Sequence, residues 1–156
     1  MRPSSIATDR GGVALALILG ALGFQYIAHF PPCEMCHWQR WPLIAAACVG
    51  VIAGFSSRHD RSIGVWLALL AILLVAASGA IGAYQAGVEW HWWPGPAECT
   101  GERFVLGGLQ NLNAPGAVRC DVAAWRLFGI SLAGYNALIS LGSAAIGAFM
   151  LARAPK

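Results

Sequence analysis

Four stretches of this chain, residues 11–33, 41–57, 62–88 and 127–152, contain no Asp, Glu, Lys or Arg. They are 23, 17, 27 and 26 residues long. A helix rises about 1.5 Å per residue, so it needs roughly 20 apolar residues, and no fewer than about 17, to cross a hydrocarbon layer. The lengths predict four membrane-spanning helices at about 12–30, 38–55, 63–84 and 127–152, with outer loops at 31–37 and 85–126. The fold class is thus an all-α membrane protein, a four-helix bundle in a single domain over residues 1–156. Composition agrees, since 11% of residues are charged and the mean hydropathy is +0.61, whereas a soluble domain averages about 25% charged. A disordered chain and a nucleic-acid-binding module are excluded.

Arg2 and Arg10 precede the first stretch, as basic residues do in a secretory leader. The stretch is longer than such a leader's apolar core and runs on into Phe24, Tyr26 and Phe30, so it is read as a retained helix. Orientation follows from the basic residues, which favour the cytoplasmic side. With the amino terminus inside, the inner segments hold Arg2, Arg10, Arg58, Arg61, Arg153 and Lys156, and the outer ones hold Arg40, Arg103, Arg119 and Arg126. Both termini are therefore expected in the cytoplasm. Trp38, Trp41, Trp90, Trp92, Trp93 and Trp125 then gather at the outer face, where indole rings prefer the headgroup layer.

Pro31 and Pro32 end the first helix, and Pro42 stands near the start of the second. Small residues recur in the last three spans, for example Ala46, Gly50 and Gly54, then Gly79 and Gly82, then Gly134 and Gly147. Such residues let helix backbones approach closely, which predicts a compact bundle. The second outer loop is rich in Gly and Pro; within it Phe104, Val105, Leu106, Leu109 and Leu112 could form a short face dipping into the interface.

Of five cysteines, Cys33, Cys36, Cys99 and Cys120 fall in the outer loops and Cys48 falls inside a span. In an oxidising compartment exposed thiols pair. Cys33 and Cys36 form a C-x-x-C, a spacing that closes a small ring and exchanges disulfides, with a helix amino terminus downstream to stabilise one thiolate. The same spacing is as often half of a zinc site, and His29 and His37 stand nearby, but no second C-x-x-C or H-x-x-H completes one. The expectation is no metal. Cys99 and Cys120 could staple a long loop, worth roughly 3 kcal/mol in the chain-entropy model, or serve as an exchange disulfide. A Gly-rich loop beside another dithiol on the same membrane face favours exchange. Cys48 is read as a small packing residue. Arg40 lies four positions after Cys36, hence on the same helical face. It is either a snorkelling anchor or a cation that stabilises the Cys36 thiolate or an anionic cofactor oxygen.

The first outer segment P-P-C-E-M-C-H-W-Q-R-W-P, the second cysteine pair, and W-R-L-F-G-I-S-L-A-G-Y-N leading into the last span resemble the disulfide bond formation protein B family. These are membrane quinone reductases that re-oxidise a periplasmic thiol oxidase in the bacterial inner membrane. The resemblance covers nearly the whole chain, and its most specific element is C-x-x-C with Arg40 four positions on. It departs at Glu34 and Met35 and at Ala133-Gly134, and it assigns no role to Gln85. It implies that a reduced, thioredoxin-fold partner attacks a Cys99–Cys120 disulfide, with Cys99 forming the mixed disulfide. The resulting dithiol would reduce a Cys33–Cys36 disulfide, and Cys36 would pass two electrons to ubiquinone or menaquinone through a thiolate contact, with Arg40 at the quinone. Two rival readings remain. A vitamin K epoxide reductase type carries its C-x-x-C after its loop cysteines, whereas here it comes first; a non-enzymatic membrane protein would use its cysteines only as staples.

Overall fold

The computed structural model describes residues 2–56, 61–96 and 119–154. It contains helix α1 (Pro3–Tyr26), α2 (Glu34–Ser56), α3 (Arg61–Glu89), the short strands β1 (Arg126–Leu127) and β2 (Ile130–Ser131), and helix α4 (Leu132–Ala152). Among the described residues, α1, α3 and α4 are long and apolar enough to cross a membrane. Cys99 and the proposed interfacial face at 104–112 lie outside the described residues.

Several boundaries differ from those expected, and α1 already ends at Tyr26, short of Phe30 and the two prolines expected to stop it. Helix α1 starts at Pro3 rather than near Gly12, because proline pre-sets the first helical φ and Ser4, Ile6, Ala7 and Arg10 are buried in the bundle. A charge-free run marks where lipid can surround a helix, and packing carries the helix further. Helix α2 begins at Glu34, so Cys36 sits in a first helical turn and not in a loop ending at residue 37. Helix α3 runs to Glu89, since all of Gln85–Glu89 is buried.

The fourth helix does not start at Leu127. Phe128 and Gly129 both have positive φ, 50° and 81°, the pairing of a tight hairpin turn. That turn sets Arg126 opposite Ser131 and Leu127 opposite Ile130. Ser131 then caps α4, its Oγ accepting from the Gly134 backbone N–H at 3.2 Å.

Helices meet where side chains are absent. A Cβ on Gly11 would lie 2.6 Å from the Gly50 Cα, so α1 and α2 cross in backbone contact. A Cβ on Gly82 would lie 2.9 Å from the Ala133 carbonyl oxygen, and the same holds α3 to α4. The buried side chains are mostly small, as in the cluster of Ala7, Ala53, Ala68, Ala71 and Ala144 around Ile6 and Ile72. Large apolar groups such as Leu19, Trp66, Leu73 and Phe149 point outward, which suits a bundle solvated by lipid. Cys48 is on that outward surface. The packing role expected for it falls instead to Ala46, Val49 and Ala53 on the opposite face of α2.

Arg10, counted in the sequence as an inner flanking charge, is buried inside the bundle. Its Nη1 donates to the Ser143 carbonyl and to Ser143 Oγ, tying α1 to α4. A charge at membrane depth is tolerated when it faces the bundle interior and finds such acceptors. The tryptophans expected at the outer face are largely exposed, except Trp125, which packs on Phe24 with ring centroids 5.1 Å apart.

Candidate functional site

Cys33 immediately precedes α2 and Cys36 lies in its first turn, so the helix amino terminus faces sulfur: the Cys36 backbone N–H donates to Cys33 Sγ at 3.3 Å. Both thiols are free, while Cys120 is disulfide-bonded. Cys120 is fully buried against Cys33 and Met35, with Cys36 beside them. Cys120, one member of the second cysteine pair, is thus brought into one cluster with Cys33 and Cys36.

Gln85 of α3 reaches both thiols. Its Nε2 donates to Cys33 Sγ at 3.3 Å and lies 3.7 Å from Cys36 Sγ. The same nitrogen is 3.2 Å from Oε1 of Glu89, one turn on along α3. The Gln85 amide is oriented from behind. Ser140 donates to Asn136 Oδ1 at 3.0 Å, Asn136 Nδ2 to Gln39 Oε1 at 2.7 Å, and Gln39 Nε2 to Gln85 Oε1 at 2.6 Å. Ser78 braces the middle, donating to the Gln39 carbonyl at 3.0 Å and accepting from Asn136 Nδ2 at 3.1 Å. Every link points the same way, from α4 through α2 to α3, and ends with N–H groups aimed at sulfur. Buried polar chains of this kind fix a geometry only when each member is satisfied.

The thiol pair is electrostatically asymmetric. The Cys36 thiol is pushed down to about 6, chiefly by the hydrogen bond from the Cys33 thiol and further by Gln85 and the Arg40 charge, against the opposing effect of burial. Cys33 moves up, because its side-chain hydrogen bond to Cys36 and its burial both hold its proton. Cys36 is therefore the thiolate of the pair, the form that acts as nucleophile and electron donor.

Cys36 opens into a cavity of about 370 Å³. Its walls are largely apolar, with Leu17, Phe24, Leu43 and Ile139 among them, and its polar groups include Gln39, Arg40, Gln85 and Glu89. Arg40, singled out by its spacing from Cys36, lines this cavity and donates to Gln25 Oε1 on α1 at 2.7 Å. His29 and His37, weighed as metal ligands, are both exposed, and no group of three His, Cys, Asp or Glu suited to a metal occurs among the described residues.

The family model described as "Disulfide bond formation protein DsbB" matches residues 10–150. The chain belongs to the DsbB family. Among its relatives, a disulfide bond formation protein B of Aromatoleum aromaticum is 30% identical over 87% of this chain and 86% of its own length. One of Albidiferax ferrireducens is 31% identical over 81% and 76%, and one of Paracidovorax citrulli is 26% identical over 99% and 90%. No solved structure matches significantly. As a DsbB-family member the protein has an oxidoreductase role in disulfide bond formation, and its three long apolar helices fit a multi-pass membrane protein.

The sequence reading did not single out Gln39, Ser78, Glu89, Asn136 or Ser140, and it left Gln85 without a role. A signal for them existed: Gln39, Gln85 and Asn136 are polar side chains within or beside apolar spans, where such residues are costly and commonly functional.

Proposed function

We propose that this DsbB-family chain is a thiol:quinone oxidoreductase of the bacterial inner membrane, crossing it four times with both termini in the cytoplasm. It re-oxidises a periplasmic thioredoxin-fold disulfide oxidase. The observation that carries this reading is the junction of a disulfide-bonded Cys120, the free pair Cys33 and Cys36, and a largely apolar cavity with polar groups next to Cys36.

The partner's thiolate attacks Cys99 of a Cys99–Cys120 disulfide, and resolution of that mixed disulfide releases the oxidised partner and leaves both loop thiols reduced. Those thiols then reduce a Cys33–Cys36 disulfide, giving the dithiol seen here. The cavity volume falls within the usual range for small-molecule sites, and its apolar walls suit a ring and isoprenoid tail. Ubiquinone and menaquinone both meet that description. A quinone supplies an acceptor for two electrons and two protons. The chain holds the Cys36 thiolate at the cavity wall, aims the Gln85 amide at the sulfurs, and lines the same cavity with the Arg40 guanidinium, which would hold a carbonyl oxygen of the quinone. Two parallel N–H donors make guanidinium a better holder of such an oxygen than an ammonium group.

The test is steady-state oxidation of a reduced thioredoxin-fold oxidase by the purified protein, followed through quinone absorbance. Turnover that requires both quinone and protein supports the reading. Oxidation without quinone consumption, or none at all, contradicts it and favours cysteines that merely staple the outer loops.

A further inference from the structure

Glu89, the last residue of α3, is only 5% exposed, which is rare for a carboxyl group. Oε1 accepts from Gln85 Nε2, but Oε2 is buried with no hydrogen-bond partner among the described residues. The side chain lines the cavity that holds Cys33, Cys36 and Arg40. The other charged or titratable groups along that cavity are Arg119, from the segment before Cys120, and Tyr135 of α4, while α1 contributes none. Arg126 of β1 donates to the Glu89 backbone carbonyl at 3.3 Å and brings its charge near the carboxyl, and the Ser131 hydroxyl of β2 also faces it, but neither gives Oε2 a hydrogen bond. An ionised oxygen without a donor is costly to bury, and a proton on it removes that cost.

We infer that Glu89 is the proton-holding group of the Cys33/Cys36 centre, protonated when the pair is a dithiol and ionised when it is a disulfide. In the reduced centre Cys33 keeps its thiol proton, Cys36 is a thiolate and Glu89 is a neutral acid, so one negative charge is present. Formation of the Cys33–Cys36 bond releases two electrons together with the Cys33 and Glu89 protons. Glu89 is then a carboxylate, and one negative charge is present again. The electrons and protons match what a quinone takes up in becoming a quinol, so their destination rests on the thiol:quinone reading above. The gain is electrostatic. The centre changes redox state beside Arg40 without creating or losing net buried charge, which a low-dielectric site penalises heavily. Gln85, with its one nitrogen beside Cys33 Sγ and Glu89 Oε1, joins the two halves of the exchange.

The experiment counts protons and needs no quinone. Full-length protein is equilibrated with a reference thiol couple of known pH dependence, and the dithiol/disulfide ratio of Cys33 and Cys36 is followed above the point where Cys36 ionises. A two-proton centre changes its equilibrium constant about 100-fold per pH unit and a one-proton centre about tenfold. Wild type should show the steeper slope and Glu89→Gln the shallower one. Glutamine can still accept from Gln85, so a purely structural role would leave the slope unmoved. In wild type alone, the infrared difference between the two redox forms should gain a carboxylic-acid carbonyl signal on reduction. Equal slopes in the two proteins, or no carboxyl signal in wild type, would overturn the inference. Wild type with the steep slope that nevertheless fails to reduce quinone would count against the thiol:quinone reading alone.

Discussion

Gln39 sets the orientation of Gln85: its Nε2 donates to Gln85 Oε1 at 2.6 Å, which leaves the Gln85 nitrogen turned toward the cysteine sulfurs. Gln39 is itself held by Asn136 through its own oxygen. A flipped amide would bring oxygen nearer to sulfur than the 4.0 Å that Oε1 keeps from Cys36 Sγ, and would repel a thiolate. The chain from Ser140 onward prevents this.

Loss of these donors should be visible in thiol chemistry. The Cys36 thiolate forms as pH rises through about 6, and each donor to sulfur favours the ionised form. Gln85→Leu should move the midpoint of Cys36 alkylation upward, toward the ordinary thiol value of about 8.5, so reactivity at neutral pH falls. Gln39→Leu should shift it the same way by less. The measurement is mass-spectrometric alkylation rate against pH; an unmoved midpoint in Gln85→Leu removes Gln85 from the centre.

The cysteines divide into two classes. Cys33→Ala, Cys36→Ala, Cys99→Ala and Cys120→Ala should each abolish steady turnover of the partner, since a relay stops when any exchange step lacks its sulfur. Cys48→Ala should turn over as wild type, because Cys48 faces outward from the bundle. Normal turnover in both Cys99→Ala and Cys120→Ala would make the second pair a staple.

Arg40 has two roles to separate. Its charge contributes to the lowered Cys36 thiol, and it lines the cavity. Arg40→Lys keeps the charge but loses the planar fork, so it should raise the apparent quinone Michaelis constant moderately; Arg40→Ala should raise it severely. Partner exchange in a single turnover should persist in both variants. A silent Arg40→Lys would mark an anchor that only snorkels.

Two adjacent glycines give a packing test. Gly11→Ala would place its Cβ 2.6 Å from the Gly50 Cα, whereas a Cβ at Gly12 meets nothing within 4 Å. Overpacking of this kind costs about 1–3 kcal/mol, while Gly→Ala at an open helical site gains roughly 0.8–1 kcal/mol in propensity. Thermal unfolding in detergent should show Gly11→Ala destabilised and Gly12→Ala unchanged or stabilised. Equal midpoints would contradict the α1–α2 contact.

The helices were legible because a missing charge is a local property: each stretch without Asp, Glu, Lys or Arg contains most of one helix. The C-x-x-C and Arg40 were legible because their relation is local too. The hairpin was hidden inside an apolar run, since Phe128-Gly129 lacks the Asn-Gly or Asp-Gly signal that marks a tight turn. The burial of Arg10 was not legible because a charge beside a span reads as a flank, and only the position of Ser143 across the bundle reveals its acceptor. The same limit applies to Gln39, Gln85 and Asn136. Spacing along one helix tells which residues share its face, but the register between helices decides which polar groups meet.

On the thiol:quinone reading electrons leave Cys33 and Cys36 for a quinone, and a single turnover can be watched. Protein with this pair reduced is mixed anaerobically with a water-soluble short-chain ubiquinone, and quinol formation is followed together with the thiol state of Cys33 and Cys36. One quinol should form per reduced pair, with the Cys33–Cys36 disulfide forming at the same rate, and Cys36→Ala should give no quinol. Quinone left unreduced beside an intact dithiol would contradict that reading.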